Sequence, residues 1–447
     1  MAQGAASGAP PQLPRAVLLY SHSWLPGQVD GVAVRMMAHA RSLSEKGVKV
    51  VVATPDFERQ GKPAPLAPDK IPGVEHVLLQ SQPTPVYHKN LCMRMSLKNF
   101  WTLVCLIKRV KPDLVHGTQE ASMQVLASAC IFCDVPLVIS LHTDVAQIAE
   151  RDKGFSKFIG GAVGRAYTQV ALFCVYWGYR NWGTSGGKFF CVSPQSRAIL
   201  GDAGVRDSSV CSGTWGPMVE RQTFRIDLPE QQVSELRREL CFGIEDAFLM
   251  LYIGRVTAEK DIRFLVDALE RAPKRVVLAL IGPVEEALQD LRGLHGKERR
   301  LHCSGEMHSR EKVALMLRGA DCCVSASTME TVGFTAMEAL SCGTPCLMAN
   351  AQGFALHLTH GANARLFTPH SEESFDGELR ALIAQPREGS WSPEALRESM
   401  ADASVDHCTN RALKVYEAVG ATSGRLWRVP FALVMLCINV VVNFCFR

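Results

Sequence analysis

Glu330 and Glu338 stand eight residues apart in the run STMETVGFTAMEAL, residues 327–340, around the start of a predicted helix. Gly333 between them lets backbone N–H groups come close to a diphosphate, because the first turn of a helix holds unpaired donors and the positive end of the peptide dipole. Glu330, ahead of the helix, is then placed to accept hydrogen bonds from sugar hydroxyls, and Glu338, two turns in, from a ribose. The same spacing is common on solvated acidic helix faces, so other residues must decide.

A second group is Gly254, Arg255, Glu259 and Lys260 in GRVTAEKD, residues 254–261. An arginine fork and a lysine point charge in one loop can neutralise a diphosphate as charge grows on the leaving group. As isolated residues they would only be solvated. Two further loops carry polar groups, Asp30-Gly31-Val32 and His142-Thr143-Asp144. Taken alone, the first is an ordinary turn and His142 a structural strand-end histidine.

These groups gain weight from the elements that precede them. Short β-branched or aliphatic runs predict strands at 16–20, 48–53, 74–79, 114–116, 137–141 and 189–192, with helical stretches such as 34–46 and 97–110 between them. After about Pro217 the pattern restarts at 248–253, 276–281, 301–304, 322–326, 345–349 and 365–367. Such alternation predicts an α/β protein in which a helix-covered parallel sheet forms twice, as two doubly wound Rossmann-like domains facing across a cleft. Ligands of these sheets sit beyond the carboxyl ends of strands. Asp30, His142, Gly254 and the Ser325 to Glu330 loop all follow predicted strands.

A chain of 447 residues with 47% apolar residues is long enough for two or three cores. Residues 1–225 hold 24 Lys and Arg against 15 Asp and Glu, and the rest hold 24 against 29. The basic first half suits an anionic lipid or an acidic substrate, or is scatter between domains. No Lys/Arg run has the form of a nucleic-acid patch. The 16 cysteines lie mostly in apolar runs and are expected reduced; Cys130/Cys133 and Cys342/Cys346 lack the second Cys/His pair that a zinc site needs. Residues 1–14 resemble neither a signal nor a transit peptide, so secretion is not expected. Val429 to Phe446 is an uncharged, mostly apolar run of 18 residues flanked by Arg425, Arg428 and Arg447, near the lower limit for a membrane span. Asn439 and Asn443 on one face favour a tilted or interfacial segment. Phe155 to Trp182 mixes aromatic and basic residues as a bilayer interface or a buried helix pair would.

Taken in order, the Asp30-Gly31-Val32 loop, His142-Thr143-Asp144, Gly254-Arg255 with Glu259-Lys260, and the Glu330/Glu338 pair resemble the family-4 retaining glycosyltransferases of GT-B fold, over about residues 15–420. The resemblance implies that Glu338 binds the nucleotide ribose and Glu330 the donor sugar. Arg255 and Lys260 would hold the diphosphate, with Gly254 and backbone donors around Val332, Gly333 and Phe334. Gly31 would close on the phosphates, Asp144 would join the residues that bind the nucleotide-sugar, and His142 would sit beside the transferred sugar. It also implies front-face attack, in which the acceptor hydroxyl loses its proton to a departing phosphate oxygen. The chain has no Asp-x-Asp triplet, so neither a metal nor another cofactor is expected.

Trp215-Gly216-Pro217, Val192-Ser193-Pro194 and Glu330-Thr331-Val332-Gly333-Phe334 look like the sulfolipid synthases, which transfer sulfoquinovose from its UDP donor to diacylglycerol. The tail and the missing plastid-targeting segment depart from that group. A GDP-mannose-dependent α-mannosyltransferase shares the motifs. More distant alternatives are a pyridoxal-phosphate sugar phosphorylase, a nucleotide-sugar epimerase and a non-catalytic GT-B scaffold. The expected layout is an acceptor-side domain at 14–217, a nucleotide-sugar domain at 218–400, a helix at 401–425 returning to the first domain, and a membrane-associating tail at 426–447. The expected partners are a UDP- or GDP-sugar, a lipid acceptor such as diacylglycerol and a membrane surface, with no nucleic acid. The catalytic domains would lie in the cytosol or plastid stroma.

Overall fold

The computed structural model describes residues 12–28, 30–57, 70–83, 91–120, 122–142, 187–305, 307, 309–328, 330 and 332–420, together with 169, 176, 179 and 180. The chain divides into two compact units, one from the described residues of 1–215 and 409–447, the other from residues 216–408.

In the first unit, β1 (Ala16–Tyr20), β2 (Lys49–Pro55), β3 (Glu75–Leu79), β6 (Leu114–Thr118), β7 (Leu137–Leu141) and β8 (Lys188–Cys191) form one parallel sheet in the order β3-β2-β1-β6-β7-β8. β1 is apolar throughout and fully buried, as a central strand covered on both faces must be. A short antiparallel pair, β4 (Ser81–Pro83) and β5 (Leu91–Met93), was not expected from the sequence. The Gly31–Glu45 helix begins one turn earlier than its apolar period suggests, because Asp30 caps it: Oδ1 accepts from the Ala33 N–H at 2.8 Å. Ser96 caps the Leu97–Val110 helix in the same way.

The second unit repeats the plan. β9 (Phe248–Ile253), β10 (Val276–Ile281), β11 (Leu301–Ser304), β12 (Cys322–Ser325), β13 (Cys346–Ala349) and β14 (Ala364–Phe367) run parallel in the order β11-β10-β9-β12-β13-β14. Counted within its own unit, each sheet has the order 3-2-1-4-5-6, so the direction of winding reverses beside the first strand. Ligands of sheets with this order bind at that reversal, beyond the carboxyl ends of the strands. In the first unit it lies beyond β1 and β6, and in the second beyond β9 and β12.

The cysteines in apolar strands are free and mostly buried, and among the described residues no group of three or more His, Cys, Asp or Glu could hold a metal ion. No helix among the described residues is long and apolar enough to cross a membrane. The 429–446 run and most of 155–182 lie outside the described residues.

Candidate active site

The reversal point of the second sheet gathers most of the singled-out residues. β9 ends at Ile253 and is followed by Gly254, whose φ of 153° and close neighbour Gly282, at φ 147°, let two strand ends approach. A Cβ on Gly282 would lie 2.0 Å from the Gly254 carbonyl oxygen. The chain then turns through Arg255 into a short helical turn, Ala258–Lys260. Tyr252 donates to the Arg255 carbonyl at 2.7 Å and fixes the start of the turn.

Across the reversal, the loop after β12 carries Ser327 and Glu330. Lys260 Nζ lies 2.7 Å from Glu330 Oε2 and 3.3 Å from Ser327 Oγ, so an ammonium and a carboxylate 70 positions apart meet at the strand ends. Arg255 turns to Glu259, four residues on, at 2.5 Å, and remains partly exposed. The sequence grouped Arg255 and Lys260 together; the structure gives each its own acidic partner.

Gly333 is the N-cap of the Phe334–Ser341 helix, at φ 76° and ψ 53°, with no side-chain cap. A left-handed backbone at this point demands glycine, and a Cβ here would meet the Phe354 ring at 2.7 Å. The Gly353 N–H donates to the Glu330 carbonyl at 2.6 Å, holding the loop in place. Val332 is buried, Phe334 half-buried, and Thr335 Oγ1 donates to the Ile253 carbonyl at 3.3 Å, tying the helix start to the end of β9. This helix start lies against the end of the strand that leads to Arg255 and Lys260.

Glu338 lies in the second turn of that helix rather than two full turns in, and is only 5% exposed. Burial pushes its carboxyl above the usual range, opposed by Arg310, whose Nη2 lies 2.9 Å from Oε1. Arg310 was not singled out from the sequence. It opens the Arg310–Gly319 helix, 28 residues upstream of Glu338, and no motif marks it.

In the first unit, Gly31 is the exposed first residue of its helix. Asp30 Oδ2 accepts from Ser23 at 2.6 Å and Gln28 at 3.1 Å. His142 follows β7, is 8% exposed, and its Nε2 pairs with Ser140 Oγ at 2.7 Å. Burial first, then the charge of Arg35 and the nearness of His22 and His116, hold the imidazole well below its usual pKa and therefore neutral. Asp144 lies outside the described residues. The reversal point of this sheet also holds Glu120, which no sequence motif marks. It accepts from the Tyr20 and Ser122 hydroxyls, and burial lifts its carboxyl to about 7.

A family model described as "Glycosyl transferases group 1" matches residues 242–403, and one described as "Glycosyltransferase Family 4" matches residues 29–211. The chain belongs to the family-4 glycosyltransferases of GT-B fold. This glycosyltransferase is 24% identical to sulfoquinovosyl transferase SQD2 of Arabidopsis thaliana over 384 residues, 83% of this chain and 67% of that protein. It is 25% identical to a D-inositol 3-phosphate glycosyltransferase of Nocardiopsis dassonvillei over 419 residues, 88% and 91% of the two. Among solved structures, Anabaena HepE in complex with UDP and glucose superposes with a TM-score of 0.66 at 17% identity, covering 89% of this chain and 98% of that one. WaaG, a glycosyltransferase involved in lipopolysaccharide biosynthesis, gives 0.58 at 16% identity, covering 94% and 99%.

Proposed function

We propose that this glycosyltransferase moves a sugar from a UDP-sugar to a membrane lipid with retention of anomeric configuration, and that the transfer is of sulfoquinovose to diacylglycerol. The observation that carries the reading is the meeting of Lys260 and Glu330 beside the glycine-headed start of the Phe334–Ser341 helix at the reversal of the second sheet. Phosphate oxygens entering there find a cation and a helix N-terminus together, and Lys260 exchanges a carboxylate for the more highly charged diphosphate. Glu330, released, accepts from sugar hydroxyls. Arg255, on the same loop, adds a second cation as the leaving group forms. The acceptor hydroxyl attacks the anomeric carbon on the face the diphosphate leaves, and its proton passes to the departing phosphate oxygen. In the first unit, His142 is kept neutral by burial and is suited to hydrogen bonding rather than to carrying charge.

The choice of donor and acceptor is supported by the likeness to the plant sulfoquinovosyl transferase over most of the chain and by the UDP complexes of HepE. A lipid surface is favoured by the Leu97–Val110 helix, where Leu97 and Trp101 are 55% and 52% exposed. Lys98, Lys108 and Lys111 are exposed on or beside the same helix. An indole amid lysines suits the headgroup region of an anionic bilayer.

The test is a screen of UDP- and GDP-sugars by thermal shift, followed by transfer from the best donor to diacylglycerol in vesicles. UDP-sulfoquinovose should stabilise the protein most and yield a lipid product of retained configuration. Stabilisation by GDP-mannose instead would replace the donor. Transfer only to D-inositol 3-phosphate would replace the acceptor. With cationic side chains serving the diphosphate, a chelator should leave the initial rate unchanged, and loss of activity restored by a divalent cation would contradict that assignment.

A further inference from the structure

Arg310 is more elaborately held than a surface arginine of a helix start. Its guanidinium lies 4.7 Å from the centre of the Phe224 ring, 2.9 Å from Glu338 Oε1 and 3.6 Å from Glu220 Oε2. Ser309 caps the helix that Arg310 begins, its Oγ accepting from the Lys312 N–H at 3.1 Å, so the backbone carrying the guanidinium is fixed as well. The buried Nε has no hydrogen-bond partner among the described residues. A planar fork gripped by a ring on one face and by carboxylates at its edge loses little freedom when it makes a further contact.

We propose that Arg310 is the positioning residue of the nucleotide site, holding the Glu338 carboxylate ionised and aimed so that it accepts from the ribose hydroxyls of the donor. The proposal rests on the reading of Glu338 as the ribose-binding residue. Glu338 is buried, and an unpartnered carboxyl in that position protonates rather than carry an isolated charge. A protonated carboxyl donates with one oxygen and is a poorer acceptor for the two hydroxyls of a ribose. Arg310 removes this difficulty by charge and by a direct hydrogen bond. Of the other groups around Glu338, Glu220 raises its pKa, while the thiols of Cys323 and Cys342, themselves pushed up chiefly by burial, stay neutral. Only Arg310 among these favours the ionised form. Glu220 serves as the rear anchor of the guanidinium, keeping it from swinging fully onto Glu338.

A consequence separates positioning from mere support of the fold. Loss of Arg310 raises the Glu338 pKa further, so ribose recognition is weakened near neutrality and returns as the pH rises. A purely structural ion pair would leave no such signature in nucleotide selectivity. The experiment is calorimetric titration of UDP and 2′-deoxy-UDP into the full chain at about pH 6, 7.5 and 9, comparing wild type with Arg310→Met, Arg310→Lys and Glu338→Gln. Wild type should prefer UDP by at least about tenfold, the worth of one good hydrogen-bonding group. Arg310→Met should lose most of that preference near neutral pH and regain it at the highest pH. Glu338→Gln should lose it at every pH.

Arg310→Lys provides a second reading where the methionine variant does not fold. A lysine contacts one carboxylate at a time, so the preference should persist with its acid-side loss moved to higher pH. Unchanged selectivity and pH profile in a folded Arg310 variant would overturn the positioning role while leaving Glu338 in place. Retained preference for UDP in Glu338→Gln would overturn the ribose assignment and the proposal with it.

Discussion

Lys260 and Glu330 neutralise one another at 2.7 Å, and a diphosphate entering their loop competes with the carboxylate for the same ammonium. The outcome of that competition sets how much each cation contributes. Arg255→Ala with Lys260→Ala should lower turnover by about a thousandfold, since one electrostatic partner of a developing oxyanion is worth roughly a hundredfold or more. Circular dichroism should stay near wild type, because Arg255 is 44% exposed with a surface-type pair to Glu259, and Glu330, left without Lys260, keeps 26% exposure to water. Near-normal turnover would move the phosphate site elsewhere. The types of these residues were legible in the sequence, since an arginine and a lysine after an apolar run point to a strand-end loop. Their partners were not. Lys260 finds Glu330, and Glu338 finds Arg310, through sheet order and helix packing, which no local spacing encodes.

Among the elements, those with unbroken apolar runs were the most legible. β1, β9 and β10 begin and end where their apolar residues do, because a central parallel strand is buried on both faces and has no polar alternation to blur its limits. The β4/β5 pair escaped notice because each strand is three residues long and holds no period to detect. Gly254 and Gly282 show why the strand ends are glycine: their backbones touch where any side chain would intrude. Gly282→Ala should destabilise the second unit by more than about 2 kcal/mol, combining positive-φ strain with a backbone clash. A chemical denaturation curve indistinguishable from wild type would mean the strand ends can spread without cost. On the Leu97–Val110 helix, Trp101→Glu should weaken binding to vesicles containing anionic lipid by about tenfold while leaving transfer to a detergent-dispersed acceptor unaffected. Undiminished vesicle binding would remove this helix from the membrane surface.

At the scale of the whole molecule, one plan is used twice and each unit has its own core, so each should respond separately to a local lesion. Residues beyond 409 belong to the first unit, where the Tyr416 hydroxyl lies 2.7 Å from His39 Nε2 and 2.6 Å from His116 Nδ1. Around this group stand Trp215, Thr409 and the cation of Arg35, all buried. Burial first, then His116 and Arg35, holds His39 well below its usual pKa, and burial holds His116 at about 3. The folded state therefore keeps both neutral, whereas the unfolded chain takes up protons below about pH 6.5. Stability from this cluster is complete above that value and falls as the pH drops toward the folded-state pKa values, so the melting temperature should decline between about pH 6.5 and 4.5. Tyr416→Phe should cost about 1–3 kcal/mol by stranding buried imidazole nitrogens. A flat acid profile would show that the imidazoles are solvated.

The most direct measurement of the nucleotide grip is calorimetric binding of UDP and of uridine to wild type and to Arg255→Ala with Lys260→Ala. If the loops beyond β9 and β12 hold the diphosphate, wild type binds UDP at least about tenfold more tightly than uridine, and the double variant loses most of that difference. Equal binding of UDP and uridine by wild type, or an undiminished difference in the variant, would contradict the account.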